Sequence, residues 1–347
     1  MNGESPSIVL GYDHAAAVVQ REAERARAGA ATARRVEWVP LAVAAGRVLA
    51  EAVAADRDQP PFARATRDGF ACRAADLKGG GLRVVGQLRA GEAWTLGALR
   101  PGEAAEIMTG ATVPAGADCV VMVEHVSAQG GVVHLGEARE IVPGENIVPA
   151  GAEARAGDVV IAAGQRAGVT EIAAAAACGG AELHVFARPQ AAILATGDEL
   201  VEVAEKPLEY QIRNSNSYSL AEQVRAAGGE PEILRIVRDD KAATERAIRE
   251  AANCDLVLLT GGVSMGKFDF VEQALVALGA DFFFTGARIQ PGKPVVFGKL
   301  PPNTYFFGLP GNPVSTMVTF ALFAGPLLRA LGGESGCRPR FGMAQLE

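Results

Sequence analysis

From Pro189 onward the chain repeats one pattern: a short apolar run, a glycine-bearing turn, then a segment with helical spacing. The runs at 191–195, 232–237, 255–259, 281–285, 294–297 and 304–307 read as strands. The segments 216–227, 240–252, 270–278 and 313–331 read as helices, the last kinked at Pro326. Strands this short and this apolar need cover on both faces. Helices alternating with them supply it, which predicts an open, mostly parallel α/β sheet. Such sheets bind ligands outside the carboxyl ends of their strands.

The predicted strand ends carry the polar residues. The first leads into Thr196-Gly197-Asp198-Glu199, and the second into Arg238-Asp239-Asp240. The third leads into Thr260-Gly261-Gly262-Val263-Ser264-Met265-Gly266, with Asp269 close behind. A later turn is Pro291-Gly292-Lys293-Pro294, and the last strand runs into Pro310-Gly311-Asn312-Pro313. Successive glycines before a helix let backbone N–H groups converge as an anion nest suited to phosphate. Lys293 would add a point charge to the same anion. Glu199, Asp239 and Asp269 are the candidate ligands for a hydrated Mg²⁺ bridging phosphate oxygens. Asp240 reads instead as the N-cap of the helix that follows it.

Three other chemistries fail on the residues. Gly262-Val263-Ser264-Met265-Gly266 has the Gly-x-Ser-x-Gly form of a hydrolase nucleophile turn, which needs a histidine later in the chain. All four histidines, His14, His125, His134 and His184, precede Ser264. No Gly-x4-Gly-Lys-Ser/Thr loop occurs, and no Gly-x-Gly-x-x-Gly turn follows the first strand.

The earlier half has a different texture. A helix is predicted over 15–28, capped by Asp13 and closed by Gly29, with an extended segment at 47–55. A β-rich module follows over 56–144, with strands at 82–88, 104–108 and 119–126, and a hairpin through Gln129-Gly130-Gly131 to 132–135. Within it, Pro60-Pro61 precede a turn that presents Asp68, and Thr109 lies in a second turn-rich stretch. Residues 145–188, with a helix over 171–178, are assigned with 1–55 to a discontinuous first domain. The α/β domain is placed at 189–331, leaving 332–347 as a short tail.

The formal charge of −7 argues against a general nucleic-acid binder. The uncharged stretch 300–328 is broken by five prolines, which argues against a membrane span. Five cysteines without a Cys-x-x-Cys spacing suit small core residues in a reducing cytoplasm.

In order along the chain stand Pro60-Pro61-Phe62, Arg67-Asp68-Gly69-Phe70-Ala71, Ile107-Met108-Thr109-Gly110-Ala111 and Pro114-Ala115-Gly116-Ala117-Asp118. Ala195-Thr196-Gly197-Asp198-Glu199-Leu200 follows, then the Thr260 to Gly266 turn with Asp269, Pro291-Gly292-Lys293-Pro294, and Leu309-Pro310-Gly311-Asn312-Pro313. Together they resemble the molybdopterin molybdenumtransferase family, which includes MoeA and the gephyrin E domain. The resemblance implies an elongated multidomain chain whose α/β domain is like MogA, assembled as a homodimer. It implies a Mg²⁺-dependent transfer of molybdenum from molybdate to adenylylated molybdopterin, with release of AMP.

Carried over by motif, Asp68, Thr109, Glu199, Asp239 and Asp269 would be catalytic. Thr196, Gly197, Thr260, Gly261, Gly262, Ser264, Lys293, Pro310, Gly311 and Asn312 would bind the pterin nucleotide. In the family the two sets meet across the dimer interface. Contacts with a molybdopterin adenylyltransferase and with molybdoenzyme maturation proteins are implied, with no nucleic acid and no membrane. Two other functions share parts of this pattern: a molybdopterin adenylyltransferase using ATP, and a non-catalytic molybdopterin-binding scaffold.

Three features depart from the family. Arg64-Ala65-Thr66-Arg67 replaces the usual Asn-Ser-x-Met, adding charge that would suit molybdate or phosphate. Gln290 stands where many members carry lysine, which implies one weaker phosphate contact. The tail after the last helix leaves room only for a remnant of the family's C-terminal β domain.

Overall fold

The six strands foreseen after Pro189 form one sheet. They are β1 (Gln190–Ala195), β2 (Glu230–Ile233), β3 (Leu256–Thr260), β4 (Asp281–Phe284), β5 (Val296–Leu300) and β6 (Thr304–Leu309), in the order β2-β1-β3-β6-β5-β4. The β2-β1-β3-β6 half is parallel throughout, and β5 runs antiparallel to both β6 and β4. The computed structural model describes residues 8–33, 35–136, 139–261, 270–343 and 345.

Alternate residues of the central strands feed two cores, as the period of two requires. Ala191, Ile193, Leu256, Leu258 and Phe307 pack with the helices Tyr12–Ala33, Asn216–Ala226 and Pro313–Leu331. Ala192, Leu194, Val257, Leu259 and Phe306 pack with Lys241–Ala251 and Phe270–Ala277. Each of these side chains is fully buried. That burial stabilises by roughly 1.5–3 kcal/mol for each large apolar residue.

The element ends show where tertiary contacts overrule local signals. The strand expected at 232–237 occupies Glu230–Ile233, and the chain touches β1 again at a Thr196–Val237 bridge. Pro231 is tolerated because β2 lies at the sheet edge. The N-terminal helix does not stop at Gly29 but runs over Tyr12–Ala33. A single helical glycine costs about 1 kcal/mol relative to alanine, and this one is flanked by alanines. The segment Pro313–Leu331 is long and apolar enough to cross a membrane, yet 67% of it is buried inside the protein, as a core helix is. Its expected irregularity at Pro326 takes the form of a π turn over Phe320–Ala324. Pro326 has no N–H to donate to the preceding turn and its ring crowds the carbonyl there, which a wider turn relieves.

The chain divides into two units. One comprises Met1–Glu51, Ala162–Ile172 and Ala181–Glu347, and the other Ala52–Ile161 with Ala173–Gly180. The second unit contains its own six-stranded sheet, from Cys119–Met122 at one edge to Val126–Gln129 at the other. Its hairpin turns through Gly130 and Gly131, both at positive φ (62° and 79°), the backbone that a two-residue hairpin loop needs. Ile147–Val148 pairs with Arg64–Ala65, and Val159–Ile161 with Val53–Ala54. The β-rich unit is therefore wider than the 56–144 module expected from texture. Strands of two or three residues show no identity until their partners are known.

Candidate active-site cleft

The chain leaves β1 on one side for β2 and returns on the other for β3, so the sheet reverses its winding between β1 and β3. Ligand crevices form at such reversals. A cavity of about 80 Å³ lies there, lined among others by Thr196, Glu199, Arg213, Asn216, Thr260, Gly261 and Gly311. These come from the ends of β1, β3 and β6, from the short strand Ile212–Arg213 and from the start of the helix Asn216–Ala226.

Gly261 is required by space as well as by backbone, and Gly197 by its backbone, since what a Cβ would meet there is the end of the flexible Glu199 side chain. Gly261 has φ +85°, and a Cβ there would sit 2.4 Å from the Thr196 carbonyl oxygen. Gly197 has φ +146°, and its Cβ would lie 2.4 Å from Glu199 Oε2. The carboxylate of Glu199 thus rests against bare backbone at the cleft wall.

Asn216 ties the strand ends together. Its Nδ2 donates to Thr260 Oγ1 at 3.0 Å and to the Gly311 carbonyl at 2.8 Å. Neighbouring Asn214 is buried and accepts from the Ser217 N–H at 3.2 Å while donating to Ser217 Oγ at 2.9 Å. Nothing in the periodicity of the sequence singled out Asn216. The only signal was its place in Asn214-Ser215-Asn216, directly before a helix.

The acids divide by role. The Asp239 N–H donates to Asp198 Oδ1 at 3.3 Å, which sets the segment that follows β2 beside the Gly197 turn. Arg238 Nη1 donates to the Asp198 carbonyl at 2.8 Å in the same junction. Asp240 is the expected N-cap, accepting from the Ala243 N–H at 2.7 Å. Among the described residues, no group of three or more His, Cys, Asp or Glu side chains is arranged to hold a metal ion. Gly262, Ser264 and Asp269 lie outside the described residues.

Asn312 caps the helix Pro313–Leu331, its Oδ1 accepting from the N–H groups of Val314 (3.1 Å) and Ser315 (3.4 Å). The Pro310 carbonyl accepts from Thr316 Oγ1. Lys293 is exposed and is not among the residues lining the cleft. Its neighbour Gly292 packs toward Thr319, where a Cβ would come within 2.4 Å of Cγ2. In the other unit, Asp68 Oδ1 accepts from the backbone N–H (2.7 Å) and the hydroxyl (2.8 Å) of Thr109.

Residues 12–179 match the MoeA N-terminal region (domain I and II), and residues 192–330 match the probable molybdopterin binding domain. The molybdopterin molybdenumtransferase of Nostoc sp. is 38% identical over 315 residues, covering 88% of this chain and 72% of that protein. The chain belongs to the molybdopterin molybdenumtransferase family. The enzyme of that name from Haemophilus influenzae is 37% identical, covering 86% of this chain and 74% of its own. The crystal structure of the molybdopterin biosynthesis MoeA protein from Pyrococcus horikoshii OT3 superposes with a TM-score of 0.75 at 30% identity, over 95% of this chain and 81% of that one.

The two arginines of the Arg64 to Arg67 stretch stand in different settings. Arg64 Nη2 pairs with Glu153 Oε1 at 3.0 Å, so its charge is already engaged. Arg67 is exposed beside Asp68.

Proposed function

We propose that this protein is a molybdopterin molybdenumtransferase, taking adenylylated molybdopterin and molybdate and releasing AMP as molybdenum enters the dithiolene. The observation that carries the reading is the cleft at the β1–β3 reversal, where Thr196, Glu199, Thr260, Gly261 and Gly311 of the motif turns come together, in a chain matched over most of its length by enzymes of that name.

Each residue then has a task. Thr196, Thr260, Gly261 and Gly311 shape the wall against which the substrate rests, and Asn216 holds that wall together. Gly197 leaves room for the Glu199 carboxylate. Glu199 and Asp239 are hard oxygen donors on adjoining strand ends, the donor type that magnesium takes, and they would hold it. When bound, magnesium neutralises negative charge on the phosphate oxygens. Lys293 draws the anionic substrate toward the domain. Asp68, fixed by Thr109, offers a carboxylate from the β-rich unit. The family resemblance supports a homodimer that joins the two sets, a cytoplasmic location, and contacts with the adenylyltransferase that supplies the substrate.

The test is AMP release from adenylylated molybdopterin and molybdate by the wild type and by Asp239→Ala and Asp269→Ala. A fall of at least about 100-fold is expected for each, the scale of losing a group that stabilises transition-state charge. Unchanged turnover in both variants rejects the assignment.

A further inference from the structure

Asn216 lines the cleft, and both hydrogens of its Nδ2 are spent, on Thr260 Oγ1 and on the Gly311 carbonyl. The carbonyl settles which way the amide faces, because the flipped form would set Oδ1 against a second acceptor. Oδ1 is buried and meets no donor among the described residues. Thr196 lines the same cleft in the same condition. The residue is 3% exposed, and its Oγ1 has no partner among the described residues. A folded chain leaves few buried polar atoms unsatisfied, since each one costs stability in the free protein. Two on one cleft wall point to a ligand that completes them.

We infer that Asn216 Oδ1 reads a neutral hydrogen-bond donor of the substrate, an N–H or O–H on its nucleoside or pterin part, and does not contact its phosphate, with Thr196 Oγ1 hydrogen-bonding beside it on that same part. The inference rests on the reading that this cleft takes an adenylylated pterin. An amide oxygen only accepts, and so does an ionised phosphate oxygen, so the two repel. A ribose hydroxyl, the adenine amino group or a pterin ring N–H supplies the missing hydrogen. Thr196 Oγ1 both donates and accepts, and it takes a neighbouring group of the same ring system. Asn216 then does two things with one amide: Nδ2 sets the spacing of the β3 and β6 ends, and Oδ1 selects what fits between them.

The experiment titrates AMP, molybdopterin and inorganic phosphate separately into the full-length wild type, Thr196→Val and Asn216→Ala, by calorimetry. Thr196→Val keeps the shape and removes a hydroxyl with no partner among the described residues. Its melting temperature is expected to equal or exceed that of the wild type, while its affinity for AMP or for molybdopterin falls about tenfold, the loss of one hydrogen bond. Asn216→Ala weakens the same probe. Whichever organic probe weakens identifies the half of the substrate being read, and inorganic phosphate binds all three proteins alike. Equal loss of phosphate affinity overturns the inference. So does a lower melting temperature of Thr196→Val with all affinities intact, which marks a structural hydroxyl. Wild-type turnover measured alongside separates two failures. Turnover with insensitive variants sinks the wall assignment alone, and absence of both turnover and binding sinks the functional reading beneath it.

Discussion

Thr109 donates twice to one carboxylate oxygen of Asp68, across 41 positions of chain. The backbone N–H contributes most and the hydroxyl next, and together they hold the Asp68 carboxyl below the usual carboxylate range. Because the folded value is depressed, the contribution to stability is present above the ordinary range and lost as pH falls through the folded value. Thr109→Val removes one of the two bonds. The Asp68 titration, followed by carboxyl NMR, is expected to move part of the way back up, since the N–H remains. An unmoved titration would show that the hydroxyl contributes nothing.

Adjacent acids should behave as opposites. Asp240→Ala loses the cap on Ala243 and is expected to cost about 1 kcal/mol of stability with turnover nearly unchanged. Asp239→Ala caps nothing, and is expected to keep its melting temperature and lose turnover. Chemical denaturation and AMP release measured on both proteins check the contrast, and a reversed pattern rules out the division of roles.

Gly261→Ala places a methyl group 2.4 Å from the Thr196 carbonyl, in a backbone conformation that alanine resists. The combined strain is expected to cost about 2–4 kcal/mol. The β1 and β3 ends would be pushed apart, and AMP affinity would fall with stability. Urea unfolding and AMP titration of the variant are the measurements, and wild-type values in both would refute the close approach.

Tyr305 supplies an alkaline test. Its hydroxyl lies 3.3 Å from Glu22 Oε2, and burial, followed by the Glu22 charge, pushes the phenol up to about 12. A raised folded value means the contribution is whole below about pH 10, the ordinary tyrosine value, and is lost as pH climbs toward the folded one. Tyr305→Phe is expected to be about 1 kcal/mol less stable at neutral pH, with a flatter decline across that alkaline window. Denaturation midpoints against pH decide it, and an unaltered slope counts against the phenol.

Much of the α/β domain was legible because its signals are local. Runs such as Leu256–Thr260 are short, apolar and closed by a glycine turn, the marks of a buried strand, and Asp240 announced its helix. The hairpin at Gly130-Gly131 could be read from two residues. Asp68 and Thr109 were each visible as turn residues, but the bond between them was not, because no local rule links two turns so far apart in the chain. The extent of the β-rich unit was hidden for the same reason: Val53–Ala54 becomes a strand only by pairing with Val159–Ile161.

By itself, the amino-acid order determined the alternation of strand and helix, and with it a parallel sheet whose polar residues collect at one end. Hydrophobic period, glycine and capping residues act within a few positions of the chain, so they can be read along it. Only the tertiary structure decided that Asn216 would bridge Thr260 and Gly311, and that Thr196 would be buried with its hydroxyl unpaired among the described residues. Both depend on how the ends of β1, β3 and β6 come to lie side by side, and the packing of the whole sheet sets that register.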